Sequence, residues 1–433
     1  MLINELCSRN SYKAINDVLN GVTLHDLQCI DVLKMIAAKK SVVIYDTGTG
    51  KTLLAAAFMK LLLREDPSKM FLMFVKKDQL VQTPEKLKKF AGLSTVVTSA
   101  DAKKDAGAFL QKDLDGYNVI MLTHNCLHKT QILDKIYKMR DRIAGVIVDE
   151  MHELQNFNGA ESAGVLRSIL KNFEYTVALT ATPIVTDIKQ LARIANCVDS
   201  VRYPDAKKLA RDLESGRFSI TWDKAFFINR AAKDLGRVTD PKGHVISVSP
   251  SPHQAHCELG GVELFQMCKG DGAVNQVNAL IELIAEKKQQ NDRGLVYISQ
   301  TTVLRWVCEN LDKTGIRYAC INGGTSMDLR SKIEESFAAG SYDVILTSVT
   351  TAIDLDCEYV VFYEFTVLVN QMIGRAVRGL KPKELDVYFI ITKDTNEVNY
   401  FINNIFSKCQ IIQDILGKEN SAVDSVAQHL GVI

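Results

Sequence analysis

The 433-residue chain contains no apolar run near the roughly 20 residues that span a bilayer. Its opening, Met-Leu-Ile-Asn-Glu-Leu-Cys, lacks the basic and apolar regions of a secretory signal, so a cytoplasmic location without membrane contact is expected. No Cys-x-x-Cys pair occurs. The ten cysteines are scattered at positions 7, 29, 126, 197, 257, 268, 308, 320, 357 and 409, a pattern that fits buried free thiols better than disulfides or zinc. His253-Gln-Ala-His-Cys257 has no second cluster to complete four ligands, so no transition metal is expected there. Excess charge is missing too: 52 basic and 51 acidic residues leave a net charge of +1. That excludes coating of nucleic acid by a global field, and any such contact must be a local track of lysines, hydroxyls and backbone amides. Low-complexity tracts and short-period repeats are absent. What remains is 47% hydrophobic and 24% charged, a soluble globular chain long enough for two or three domains.

Short apolar runs alternate with helix-like stretches over residues 20–200. Strands are predicted at Ser41–Tyr45, Met70–Val75, Val96–Thr98, Val119–Thr123, Val146–Asp149 and Thr176–Thr180. The pattern resumes after about residue 275, at Gly294–Ser299, Arg317–Ile321, Asp343–Ser348, Tyr359–Glu364 and Leu385–Thr392. Strands separated by helices of ten or more residues imply parallel, helix-covered sheets, so the fold class is α/β with two such domains. The expected division is 1–202, 203–275 and 276–433, the middle part being a linker plus the edge of the second domain. Within it Lys207–Leu213 reads as a charged helix, Asp240-Pro-Lys-Gly243 as a turn and His244–Val248 as extended. Residues 235–250 hold the only candidate hairpin.

Tyr45-Asp-Thr-Gly-Thr-Gly-Lys-Thr52 reads as a phosphate-binding loop between the strand at 42–44 and a helix opened by Leu53-Leu-Ala-Ala-Ala-Phe58. Gly48 and Gly50, with Thr47 and Thr49 between and beside them, let backbone N–H groups close around phosphate oxygens. Lys51 adds a point charge and Thr52 a hydroxyl for magnesium. Val146-Ile-Val-Asp-Glu-Met-His-Glu153 puts two carboxylates at the carboxyl end of an apolar strand, where ligands lie in open α/β sheets. Asp149 suits Mg²⁺, and Glu150 suits a base for the attacking water. Ala178-Leu-Thr-Ala-Thr-Pro183 ends a further strand in two hydroxyls, Thr180 and Thr182, expected to relay the γ-phosphate state. Gln28, in Leu24-His-Asp-Leu-Gln28, offers a donor and an acceptor that match the adenine edge. Far along the chain, Gln371-Met-Ile-Gly-Arg-Ala-Val-Arg378 can place Arg375 and Arg378 on the γ-phosphate, with Gln371 beside them. A nucleotide site completed by two domains is the mark of a motor.

The order phosphate loop, Asp-Glu-x-His, Thr-Ala-Thr, Gln-x-x-Gly-Arg-x-x-Arg resembles the superfamily-two helicases and translocases. The second half is similar to the SWI/SNF-type ATPases in Ile321-Asn-Gly-Gly-Thr-Ser-Met-Asp-Leu-Arg330, Ile333-Glu-Glu-Ser-Phe337, Val344–Ser348 with Ile353-Asp-Leu355, and Asp386-Val-Tyr-Phe-Ile390 with Thr395-Asn-Glu397. It departs from them at Thr351-Ala-Ile-Asp354, where glycines are usual, and at Phe227-Ile-Asn-Arg230, a loose match to a double arginine. There is no room for remodeller insertions, so a compact viral, plasmid or bacterial type of motor fits better. The resemblance implies two tandem RecA-like domains with a nucleotide cleft between them, ATP and magnesium as ligands, and Asp354 as a coupling residue. It implies nucleic-acid contacts at Lys76, Lys77, Thr123, His124, Thr347 and Ser348. DNA, duplex or branched, is then the expected polymer, and replication or recombination proteins are the expected partners. The alternatives are a strand-separating DNA or RNA helicase and an ATP-gated clamp that does not move. A metabolic nucleotide kinase has no use for the arginine motif and ranks last.

Overall fold

The computed structural model describes residues 9–99, 103–155, 160–185, 187–236, 239–251, 273–349, 353–366, 368–377, 383–418 and 421–433. The chain divides into two units, Met1–Leu235 and Gly236–Ile433.

In the first unit the strands are β1 (Lys40–Tyr45), β2 (Met70–Val75), β3 (Thr95–Thr98), β4 (Val119–Thr123), β5 (Ile143–Asp149), β6 (Tyr175–Thr180) and β7 (Phe227–Arg230). They form one sheet in the order β3-β4-β2-β5-β6-β1-β7, with every pair parallel. A parallel sheet covered on both faces needs strands that are apolar throughout, and β2, Met-Phe-Leu-Met-Phe-Val, is buried at all six positions. Ala55, Ala56 and Ala57 let the helix Lys51–Glu65 approach the sheet closely, and Phe58 meets Phe71 and Tyr175 edge-on at 5.8 and 5.9 Å.

The second unit holds β8 (Thr239–Val248), β9 (Gly294–Tyr297), β10 (Tyr318–Ile321), β11 (Val344–Thr347), β12 (Tyr359–Phe362) and β13 (Lys383–Thr392). Their order is β10-β11-β9-β12-β13-β8, again parallel throughout. Each predicted strand therefore has its counterpart. Among the described residues no helix is long and apolar enough to cross a membrane. Seven cysteines are described, all free, and five of them are buried.

Residues 203–275 differ from expectation. The helix Ala206–Glu214 and strand β7 lie within the first unit, β7 pairing with β1, while β8 forms an edge of the second sheet. Asp240-Pro-Lys-Gly243 is no turn: it runs inside β8, in register with Glu384–Val387. An edge strand can tolerate a proline because only one of its sides must supply ladder donors. Gly243 then lets the helix Ser421–His429 lie close, since a Cβ there would fall 2.6 Å from the Ala422 carbonyl. The described part of 235–250 is accordingly one strand paired in parallel with β13, not a hairpin. His253–Cys257 falls outside the described residues.

Gly145 pairs with Tyr175, and a Cβ on it would stand 2.6 Å from the Tyr175 Cβ and 2.7 Å from its carbonyl oxygen. Gly145→Ala should therefore destabilise the first unit by about 1–3 kcal/mol, the usual cost of overpacking. Gly164, in the helix Ala160–Leu170, has open space around its Cβ position, and Gly164→Ala should stabilise by about 0.5–1 kcal/mol. Urea midpoints of the two variants should move in opposite directions.

Candidate nucleotide site

Because the first sheet is wholly parallel, the carboxyl ends of β1, β4, β5, β6 and β7 gather along one edge. Tyr45 leaves β1 there, and the phosphate loop turns back into the helix Lys51–Glu65 through Gly48 at φ 77° and Gly50 at φ 93°. No side chain caps that helix, so the first-turn N–H groups remain directed at the loop, as an anion site requires. Thr49 is buried, its hydroxyl donating to the Asp46 carbonyl at 2.6 Å. Lys51 folds over the loop, Nζ donating to the carbonyls of Tyr45 (3.1 Å) and Asp46 (3.4 Å). Gln28 has a task the sequence did not suggest. Its Oε1 accepts from the His25 N–H at 3.0 Å, and its Nε2 donates to the Thr49 carbonyl at 2.9 Å. The amide thus fastens the cap of the helix Asp26–Ala38 to the loop, using the acceptor and one of its two donor hydrogens.

Asp149 ends β5, and its Oδ2 accepts from Gln79 Nε2 at 3.1 Å while Oδ1 accepts from the Glu150 N–H at 3.0 Å. Burial first, and the adjoining Glu150 charge second, push the Asp149 carboxyl upward. Glu150 moves the other way. Burial alone would raise it, but the close His152 ring and the charges of Lys51 and Lys76 hold it below the carboxylate range. It is ionised at neutral pH. Its Oε2 is buried and has no aligned donor among the described residues, although His152 Nδ1 is 3.3 Å away. That ring nitrogen faces the Thr180 hydroxyl at 2.9 Å instead. On its other edge His152 Nε2 lies 3.4 Å from both Thr182 Oγ1 and Glu153 Oε1. Burial disfavours the imidazolium, yet the two flanking glutamates raise the His152 pKa overall. A continuous polar track thus joins the carboxylate of Glu150 to Thr180 and Thr182. His152 belongs to the Asp-Glu-x-His segment, and its link to Thr180, 28 residues on, has no local signal. Gln79 gave no signal, being 70 positions from its partner.

The residues expected at a polymer are placed unevenly. Lys77 is exposed at the end of β2, whereas Lys76 pairs with Glu153 at 2.7 Å. Thr123 is buried and donates to the Ser99 carbonyl at 2.6 Å. His124 is buried, with Nε2 3.0 Å from the Asp149 carbonyl, and burial depresses its pKa to about 4, so it is a neutral donor that pins the end of β5. In the second unit Thr347 is buried, its hydroxyl exchanging 3.1 Å bonds with the backbone of Val349, and Ser348 is half-buried. Outward-facing contacts were expected of these threonines and of His124. Their side chains turn inward because strand-end polar groups in a buried sheet must find partners.

Also in the second unit, the helix Val369–Ala376 carries Gln371, which is buried, and Arg375. Arg375 Nη1 lies 3.4 Å from Asp354 Oδ1, and its carbonyl accepts from the Leu355 N–H at 2.9 Å. The expected coupling residue and the expected finger are therefore linked. Arg378 lies outside the described residues. No cluster of three or more metal-ligating side chains occurs among the described residues. Magnesium held largely by phosphates and water needs only one or two carboxylates, so Asp149 and the half-buried Thr52 fit it.

His124 yields a pH test. Its folded pKa of about 4 lies below the unfolded value of about 6.5, so the unfolded chain takes up the proton first as pH falls. Stability is then lost between about pH 6.5 and 4, on the order of 3 kcal/mol for this one group. His124→Gln keeps an amide donor and should flatten that part of the profile in denaturant titrations at pH 7.5 and 4.5.

Residues 10–185 match the family described as type III restriction enzyme, res subunit, and residues 275–379 match the helicase conserved C-terminal domain. No curated protein matches the chain. A Dbp5 variant of S. cerevisiae bound to RNA and ADP BeF3 superposes with a TM-score of 0.56 at 14% identity, over 95% of this chain and 93% of that one. At that identity the likeness concerns the fold alone. The Sulfolobus solfataricus SWI2/SNF2 ATPase core in complex with dsDNA aligns over 94% of this chain and 95% of that one, at 17% identity. Its TM-score of 0.43 is too low to carry an argument. Two helicase-type domains in succession, on two parallel sheets with a phosphate loop at the first, give this chain the fold of the superfamily-two helicases and translocases and support a nucleic-acid-dependent ATPase.

Proposed function

We propose that the chain is a DNA translocase that couples ATP hydrolysis to movement on, or remodelling of, duplex or branched DNA in the cytoplasm. The observation that carries the ATPase part is Glu150: an ionised, buried carboxylate whose Oε2 has no aligned donor among the described residues, at a strand end within the field of the loop's Lys51. In this reading Lys51 and the loop N–H groups hold the β- and γ-phosphates, and Glu150 takes the proton of the attacking water. Thr52 and Asp149 hold magnesium, which when bound neutralises phosphate charge. Arg375 and Arg378 are the arginines this reading assigns to transition-state charge on the γ-phosphate. The His152 track carries the change at Glu150 to Thr180 and Thr182. Lys77 remains the lysine suited to a backbone phosphate, and replication or recombination proteins are the partners to be expected.

Preference for duplex DNA rests on the SWI/SNF-like segments of the second half. Translocation is favoured over strand separation because the one hairpin expected as a wedge is an in-sheet strand. The decisive panel is multiple-turnover ATP hydrolysis with duplex DNA, branched DNA, single-stranded DNA and RNA, with strand displacement followed alongside. Duplex DNA should stimulate most and little displacement should occur. RNA exceeding every DNA form would promote the helicase reading, and binding without turnover would promote the clamp.

Two variants locate the chemistry. Glu150→Gln should still bind ATP but lose hydrolysis by about 10² or more, and near-normal turnover would remove Glu150 as the base. Arg375→Ala should lower kcat by roughly 10² or more with little change in KM, the signature of an interaction made in the transition state.

A further inference from the structure

Asp31 is fully buried in the helix Asp26–Ala38 and takes four donors. Arg230 grips it as a fork, Nε to Oδ2 at 2.7 Å and Nη2 to Oδ1 at 2.8 Å. The Tyr45 hydroxyl reaches Oδ2 at 2.6 Å, and Lys34 Nζ reaches Oδ1 at 3.1 Å. Tyr45 is the last residue before the phosphate loop, and Arg230 is the last residue of β7. The segment after Arg230 holds the next loop residue directly. Asp46 N–H donates to the Arg230 carbonyl at 3.4 Å, and Asp46 Oδ2 accepts from the Ala232 N–H at 2.7 Å. One helical turn before Asp31, Gln28 fastens the other end of the loop at Thr49. A single helix therefore grips the loop at both ends, and Arg230 orients the carboxylate at one of them.

A buried ion pair is weak evidence for stability, since apolar residues of similar volume often serve as well. What the fork supplies is direction: it fixes both carboxylate oxygens, one of which receives the Tyr45 hydroxyl. We propose that Asp31 and Arg230 are a positioning pair that sets the phosphate loop for ATP, making residues 230–232 part of the nucleotide site. Arg230 lies five residues before the end of the first unit, so a nucleotide that reshapes the loop acts on the segment by which the chain leaves that unit. The proposal rests on the ATPase reading of the same loop.

The test uses the full chain and Arg230→Lys, which keeps the charge but not the fork, with the paired change Asp31→Asn and Arg230→Gln, which leaves no uncompensated buried charge. Equilibrium binding of a fluorescent ATP analogue with magnesium is measured beside ATP KM and kcat. Nucleic-acid affinity without nucleotide serves as the check on integrity. Loss of ground-state positioning predicts Kd and KM raised by about tenfold or more, with kcat per folded molecule within about threefold. Nucleic-acid affinity should be unchanged. Nucleotide affinity within twofold of wild type in both variants, with only a lower Tm, would overturn the proposal and leave a structural ion pair. Wild-type protein that binds no ATP analogue would sink the ATPase reading, and this pair's role with it.

Discussion

Parallel pairing of β1, with β6 on one side and β7 on the other, is the constraint from which the first unit's chemistry follows. It brings the ends of three strands, distant in the chain, against a single loop of backbone. Gly48 and Gly50 can then turn that loop without strain, and the uncapped helix start behind it leaves its N–H groups for a ligand on the loop. Had any of these strands run antiparallel, its polar terminus would sit at the opposite edge, and no choice of side chain would restore the site.

Around that edge the electrostatics are arranged by solvent exclusion and donor placement together. Asp149 and Glu150 are neighbours with equal burial, yet they are driven apart. One is desolvated beside a like charge, and the other is surrounded by His152, Lys51 and Lys76. Lys76 thereby serves the carboxylates: it neutralises Glu153, which in turn supports His152. The arrangement leaves Glu150 charged and buried beside the loop lysine, while its neighbour Asp149 is pushed toward the protonated form.

Much of this was legible in the chain itself. The phosphate loop, the Asp-Glu pair and the Thr-Ala-Thr turn are contiguous, so spacing alone reveals them. The apolar runs of both sheets stand out because two-sided burial demands them. What resisted reading depends on distant partners. Thr123 is turned inward by a carbonyl 24 residues away, and Lys76 by a carboxylate 77 positions along. Asp31 and Arg230 are separated by 199 positions and signal nothing locally. Strand β7, four residues with one fully polar end, is too short for periodicity to announce it. The residue types of Asp-Pro-Lys-Gly favour a turn, yet edge position and a helix packed on Gly243 outweigh that preference.

Glu150 has one more property, a backbone φ of 48°, in the left-handed region that a side chain with a Cβ rarely adopts. Such a conformation costs on the order of 1–3 kcal/mol and persists where its surroundings impose it. If Glu150 is the base proposed above, ruggedness and work conflict at this residue. A search for hardier versions of this chain that scored thermal tolerance alone would drift toward glycine at this position, relaxing the main chain while discarding the carboxylate. Efforts to toughen the molecule should leave position 150 alone, because this strained residue is also the one proposed as the base.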